Sequence, residues 1–133
     1  MRLDGVGIFV RDMAAMVRFY RDVMGFDIRD DEETENVLIE KDGTIFMLYR
    51  RTDFERMTGR GFNYAEGING HYEIALRADS FGDVDAQYAR AVSLGAAPVM
   101  PPTTMPWGQR TCYIADCEGN LIEIGSFDRE KEG

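Results

Sequence analysis

The sequence predicts an α+β domain made of one strand-helix-strand-strand-strand unit used twice, and three observations predict it. Residues 5–25 and 73–95 each run from an apolar strand through a capped amphipathic helix to a glycine. Each half closes on an acidic-Gly turn and a strand, "DGTIFMLYR" at 42–50 and "EGNLIEIGS" at 118–126. Between them, residues 51–69 contain Gly59, Gly61 and Gly67 and show no periodicity. A chain of 133 residues has the length of one domain. The expected organisation is a single domain with module one at 1–50, a linker at 51–69, module two at 70–128 and a C-terminal tail at 129–133.

The elements follow in order. A strand is expected at 5–10, and Asp12 is the helix N-cap candidate. Met13, Met16, Val17, Tyr20 and Met24 then recur at helical spacing, and Gly25 stands where a C-terminal glycine belongs. The three methionines are core or interface residues, not a cofactor box. "FDIRDDEETENVLIEK" offers two strands before the closing strand of the first half. The linker aromatics Phe54, Phe62 and Tyr64 suit a mobile flap, the anchoring of a long connection, or a dimer contact. The second half offers a strand at about 71–78, a cap at Asp79 or Ser80, Val84, Tyr88 and Ala91 on one helix face, and Gly95 as terminator. "AAPVMPPTTMPWGQRTCYIAD" holds two further strands. Aligning Val6-Gly7-Ile8 with Ile74-Ala75-Leu76 brings Phe19 within one insertion of Tyr88, as duplication requires.

Composition narrows the function classes. With 44% apolar, 29% charged and 11% aromatic residues the chain reads as globular. No apolar run approaches the roughly 20 residues a membrane span needs, and Met1-Arg2-Leu3-Asp4 leads into a strand without a signal-peptide core, so a cytoplasmic protein without membrane contact is expected. A net charge of -9 argues against nucleic acid, which is bound through clustered Lys and Arg. Cys112 and Cys117, five positions apart, match neither a redox pair nor a zinc knuckle; Cys112 is expected to pack in a strand.

The paired modules, the opening "VGIFVRDMAAMVRFYRDVMGF" and the closing "WGQRTCYIADCEGNLIEIGSF" resemble the vicinal oxygen chelate superfamily of glyoxalase I, bleomycin-resistance proteins, fosfomycin-resistance enzymes and extradiol dioxygenases. The resemblance implies two βαβββ modules forming a curved mixed sheet or partly open barrel around a cleft, and a homodimer. Strand periodicity then assigns faces. Tyr72, Ile74 and Leu76 pack under the helices, which leaves His71, Glu73, Ala75 and Arg77 toward the cleft. Ile122 and Ile124 likewise pack while Glu123 faces the cleft, and the first half places Gly5 and Met47 at the matching positions.

In metal-using members of the superfamily those four positions carry His or Glu side chains around one divalent ion. Gly5 has no side chain and the Met47 thioether is soft, so Glu73 and Glu123 are the two candidate ligands. His71 lies two residues, about 6.6 Å along a strand, from the family's ligand position. One histidine cannot supply the two-His iron site of an extradiol dioxygenase. The expected cofactor is therefore none, with a weakly held Ni, Mn, Mg or Zn ion as the alternative.

The leading expectation is a metal-independent protein that binds a small molecule in the cleft, resembling bleomycin-resistance proteins. Candidate ligand-binding residues are Trp107 and Arg110, as a stacking surface and a polar contact, with Met47, Phe9, His71 and Tyr49. Trp107 plugging one end of a barrel explains that residue equally well. A glyoxalase-type lyase or isomerase is the alternative, with Glu73 and Glu123 as catalytic residues, one abstracting a proton beside a carbonyl.

Overall fold

The computed structural model describes residues 1–129 and divides into two compact units, Met1–Ala65 and the chain from Glu66 onward. The expected tail falls, from residue 130, outside the described residues. Each unit is α+β with a mixed sheet of its own, and neither sheet closes into a barrel.

In the first unit β1 (Gly5–Val10) pairs parallel with β3 (Thr44–Arg50), and β2 (Asn36–Lys41) pairs antiparallel on the other side of β3. Helix α1 (Met13–Arg18) starts where Asp12 Oδ1 accepts from Ala15 N at 3.1 Å and continues into a π turn, Phe19–Val23. The wider turn lets Phe19, Tyr20 and Val23 all face inward. They join Met13, Met16 and Val17, and Tyr20, Phe26 and Phe46 form a three-ring cluster with centroids 5.0–5.5 Å apart. Gly25 takes the positive φ of 74° that stops the helix.

Two expectations for this unit change. The stretch before β2 forms no first strand: residues 26–35 are irregular, although Phe26 and Ile28 are buried. Asp27, Arg29, Asp30, Asp31, Glu32 and Glu33 leave too few apolar positions there to sustain a half-buried strand. The linker, read from sequence as lacking periodicity, opens with helix α2 (Arg51–Thr58), ended by Gly59 at φ 72°. None of its residues is buried, so it lacks the apolar stripe by which helices are read from sequence.

The second unit is a complete βαβββ module, with strand order β4 (Glu73–Arg77), β7 (Leu121–Ser126), β6 (Arg110–Ala115), β5 (Ala97–Thr104). Ser80 caps α3 (Phe81–Ser93) by accepting from Asp83 N at 3.1 Å, and Val84 and Ala91 bury the inner face. Pro98, Pro101 and Pro102 fall on β5, an edge strand, where a missing N–H costs least. The duplication is visible in strand register: Gly7 stands opposite Met47 across β1–β3 as Ala75 stands opposite Glu123 across β4–β7.

Candidate functional site

Strand alternation gives each sheet one helix-covered face and one open face. On the first sheet Ile8, Val10, Phe46 and Leu48 are buried beneath α1, whereas Gly5, Gly7, Phe9, Met47 and Tyr49 lie on the other face. On the second, Cys112, Ile114, Ile122 and Ile124 are buried on the α3 side, and Glu73, Thr111, Tyr113 and Glu123 share the opposite face.

Glu123 is the organised member of that face. The antiparallel register sets Tyr113 directly across from it, and Thr111 lies one pleat along β6. Thr111 Oγ1 donates to Glu123 Oε2 at 2.8 Å and Tyr113 OH donates to the same oxygen at 3.2 Å. Two neutral hydroxyls thus fix the carboxylate without neutralising it. Glu73, exposed at the start of β4, acts on the same phenol: burial first, then the proximity of the Glu73 and Glu123 carboxylates, raise the Tyr113 pKa well above that of an ordinary tyrosine. Tyr113 therefore stays a hydrogen-bond donor across physiological pH. Thr111 and Tyr113 were not singled out from the sequence. The period of two in "RTCYIA" puts them on the face away from Cys112, but no sequence signal shows which residue of β7 they meet.

The other predicted residues separate into two groups. Phe9 and Tyr49 come together, Phe9 stacked on Phe54 of α2 at 4.1 Å and Tyr49 edge-on to Phe54 at 6.4 Å. Tyr49 also lines an open groove of about 280 Å³ with Glu35, Asn36, Asp53, Arg56 and Met57. Met47 lies on the open face of the first sheet and flanks Gly7, where an added Cβ would stand 3.5 Å from its Cε. Arg110, by contrast, lies on the helix side of its sheet: Nε donates to Asp85 of α3 at 2.8 Å and a terminal nitrogen donates to Thr104 Oγ1 at 2.9 Å. Alternation along β6 turns it away from Thr111 and Tyr113. Trp107 sits at the tip of the β5–β6 hairpin, 63% exposed, with its indole N–H donating to Gln109 Oε1 at 3.0 Å; this is not the position of a plug. His71 is exposed in a bend two residues before β4, so the strand alternation that assigned it to the cleft does not reach it.

The donor set does not fit a resident divalent ion. A side chain at Gly5 would run into the Ile45 carbonyl, because β1 and β3 approach closely there. Met47 offers a thioether to ions that prefer oxygen. One oxygen of Glu123 already accepts two hydroxyls. Among the described residues no three His, Cys, Asp or Glu side chains converge as a metal cage.

Residues 2–124 match the model of the Glyoxalase/Bleomycin resistance protein/Dioxygenase superfamily. The chain belongs to that superfamily. The resemblance read from the paired modules is thereby borne out. A Bacillus subtilis (strain 168) member, the uncharacterized protein YwbC, is 35% identical over 125 residues, covering 92% of this chain and 95% of its own. A glyoxalase-related enzyme from Fulvimarina pelagi superposes with a TM-score of 0.81 at 19% identity, covering 95% of this chain and 88% of its own. A lactoylglutathione lyase from Agrobacterium tumefaciens gives 0.73 at 23% identity, with 94% and 92% covered. At such identities the two structures speak for the fold alone. Family membership leaves the chemistry to the residues.

Proposed function

We propose that this superfamily member is a small-molecule binding protein that works without a metal, its ligand held on the open sheet faces. One observation carries the reading: Glu123, at a family ligand position, is committed through one oxygen to Thr111 and Tyr113, while Gly5, the β1 counterpart of Glu73, is a glycine packed against a carbonyl. A carboxylate fixed by hydroxyls recognises a hydrogen-bond donor on a ligand, and on the open face of the first sheet Met47, Phe9 and Tyr49 offer apolar and aromatic contact area. In this reading the protein is a cytoplasmic homodimer. Among the described residues no helix is long and apolar enough to cross a membrane. A thermal-shift screen of small organic molecules in chelator-containing buffer tests the reading. Ligands that raise the melting temperature of the wild type but not of Glu123→Gln are expected; stabilisation that appears only when a divalent metal is added would sink it.

A second reading, a lyase or isomerase with Glu73 or Glu123 as base, draws on the two carboxylates that share a face and on the fold shared with the Agrobacterium lyase. Metal-dependent turnover of a hemithioacetal, lost in Glu123→Gln, would favour it.

A further inference from the structure

The first unit contains a three-ring stack that the carboxylate site does not use. Phe54 lies nearly parallel to Phe9, with centroids 4.1 Å apart and planes at 26°, and nearly parallel to Phe62, at 5.0 Å and 29°. Phe54 is the ring common to both stacks. The outer rings are anchored differently from the central one. Phe9 belongs to β1, inside the hydrogen-bonded sheet, and Phe62 lies beyond Gly59 and Gly61 with the Arg60 guanidinium 5.3 Å over it. Phe54 is carried by α2, a helix that buries none of its residues. Phe9 and Phe62 remain 40% and 38% exposed even with Phe54 in place.

Because α2 buries none of its residues, the Phe54 ring contacts carry much of its hold on the sheet. Its first residue is tied to β1 by Arg51 Nε donating to the Phe9 carbonyl at 3.2 Å, and its far end stops at a left-handed glycine. Charge adds a preference. Residues 50–60 hold Arg50, Arg51, Arg56 and Arg60 against Asp53 and Glu55, a positive segment in a chain of net charge -9.

We propose that the space between Phe9 and Phe62 is a binding slot for a planar aromatic acid, filled in this structure by the chain's own Phe54. Ligand entry displaces the Phe54 ring and replaces one stacked ring with another. The proposal names the ligand class of the binding protein proposed above and rests on that reading. It predicts an internal competitor: apparent affinity is reduced by the fraction of molecules in which Phe54 occupies the slot, and removing that ring raises it.

The test is calorimetric titration of the full chain with 2-naphthoate, with decahydro-2-naphthoate as a saturated acid of similar size and charge. Phe54→Ala is expected to bind 2-naphthoate about tenfold more tightly than the wild type, the scale of one freed aromatic pair. The saturated acid is expected to gain much less, and adding Phe9→Leu to Phe54→Ala is expected to remove the gain. Phe54→Leu keeps an apolar side chain on α2 and serves if Phe54→Ala does not fold; the same tightening is expected. No tightening in a folded variant, or an equal gain for the saturated acid, would overturn the slot. Should that happen while Glu123-dependent ligands still stabilise the wild type, the binding-protein reading stands and the slot alone falls. Metal-dependent stabilisation would instead remove the reading on which the slot rests.

Discussion

A carboxylate oxygen that accepts from two hydroxyls is oriented at small cost, because neither donor carries a charge that must itself be desolvated. Thr111 is 2% exposed, so Thr111→Val keeps its shape and removes the 2.8 Å bond to Glu123. A loss of about 1–2 kcal/mol in urea unfolding is expected. Tyr113→Phe removes the longer bond, and about 1 kcal/mol or less is expected. A loss from Tyr113→Phe equal to that from Thr111→Val would mean that the phenol holds more than Glu123. Gly5 makes the complementary point about what cannot be added. Its missing Cβ is where the Ile45 carbonyl lies, so Gly5→His should destabilise the protein by about 1–3 kcal/mol, as overpacking does, and should create no nickel site by calorimetry. The thiols separate cleanly as well. Cys112 is fully buried, and burial pushes its pKa up to about 11, whereas Cys117 is exposed. A thiol reagent at pH 8 should titrate one cysteine in the folded protein and the second only on unfolding. The Cys112 shift also sets an alkaline limit. Its raised folded pKa contributes stability that is fully present below the ordinary thiol value of 9 and is lost as pH rises through about 11.

Elements were legible where local rules were strong. Asp12 was readable as a cap, the second cap was narrowed to Asp79 or Ser80, of which Ser80 caps, Gly25 and Gly95 were readable as stops, and the strand at 5–10 came out with its observed ends, since capping, left-handed glycines and apolar runs act within a few residues. Asp12→Ala and Ser80→Ala should each cost about 1 kcal/mol, because each leaves an N–H at a helix start without its acceptor. Legibility failed at α2, which is held by ring contacts to Phe9 of β1 and Tyr49 of β3 and not marked by its own periodicity. It failed too at residues 26–35, where Phe26 and Ile28 are buried without a strand. In the site, faces followed from alternation. The pairing of Thr111 and Tyr113 with Glu123 depends on register, which sequence period leaves undetermined. Arg110 shows the hazard: one step along β6 from Thr111, it belongs to Asp85 and the helix side.

At the scale of the whole chain, duplication explains both what is present and what is missing. The two units share the register that sets residue 7 opposite 47 and residue 75 opposite 123, but the side chains at equivalent places have diverged: Gly5 and Met47 in the first unit stand where the second has Glu73 and Glu123. Of the two sets, only the second carries carboxylates. The proposed homodimer should appear as about twice 15.1 kDa by light scattering at micromolar concentration. The central claim, that ligand binding here does without a metal, is tested most directly by calorimetric titration of the chelator-treated protein with Ni, Mn, Mg and Zn, repeated on Glu123→Gln. No stoichiometric heat for any of the four ions is predicted. One equivalent of an ion bound by the wild type, and lost in Glu123→Gln, would contradict the account and return Glu73 and Glu123 to metal-assisted proton chemistry.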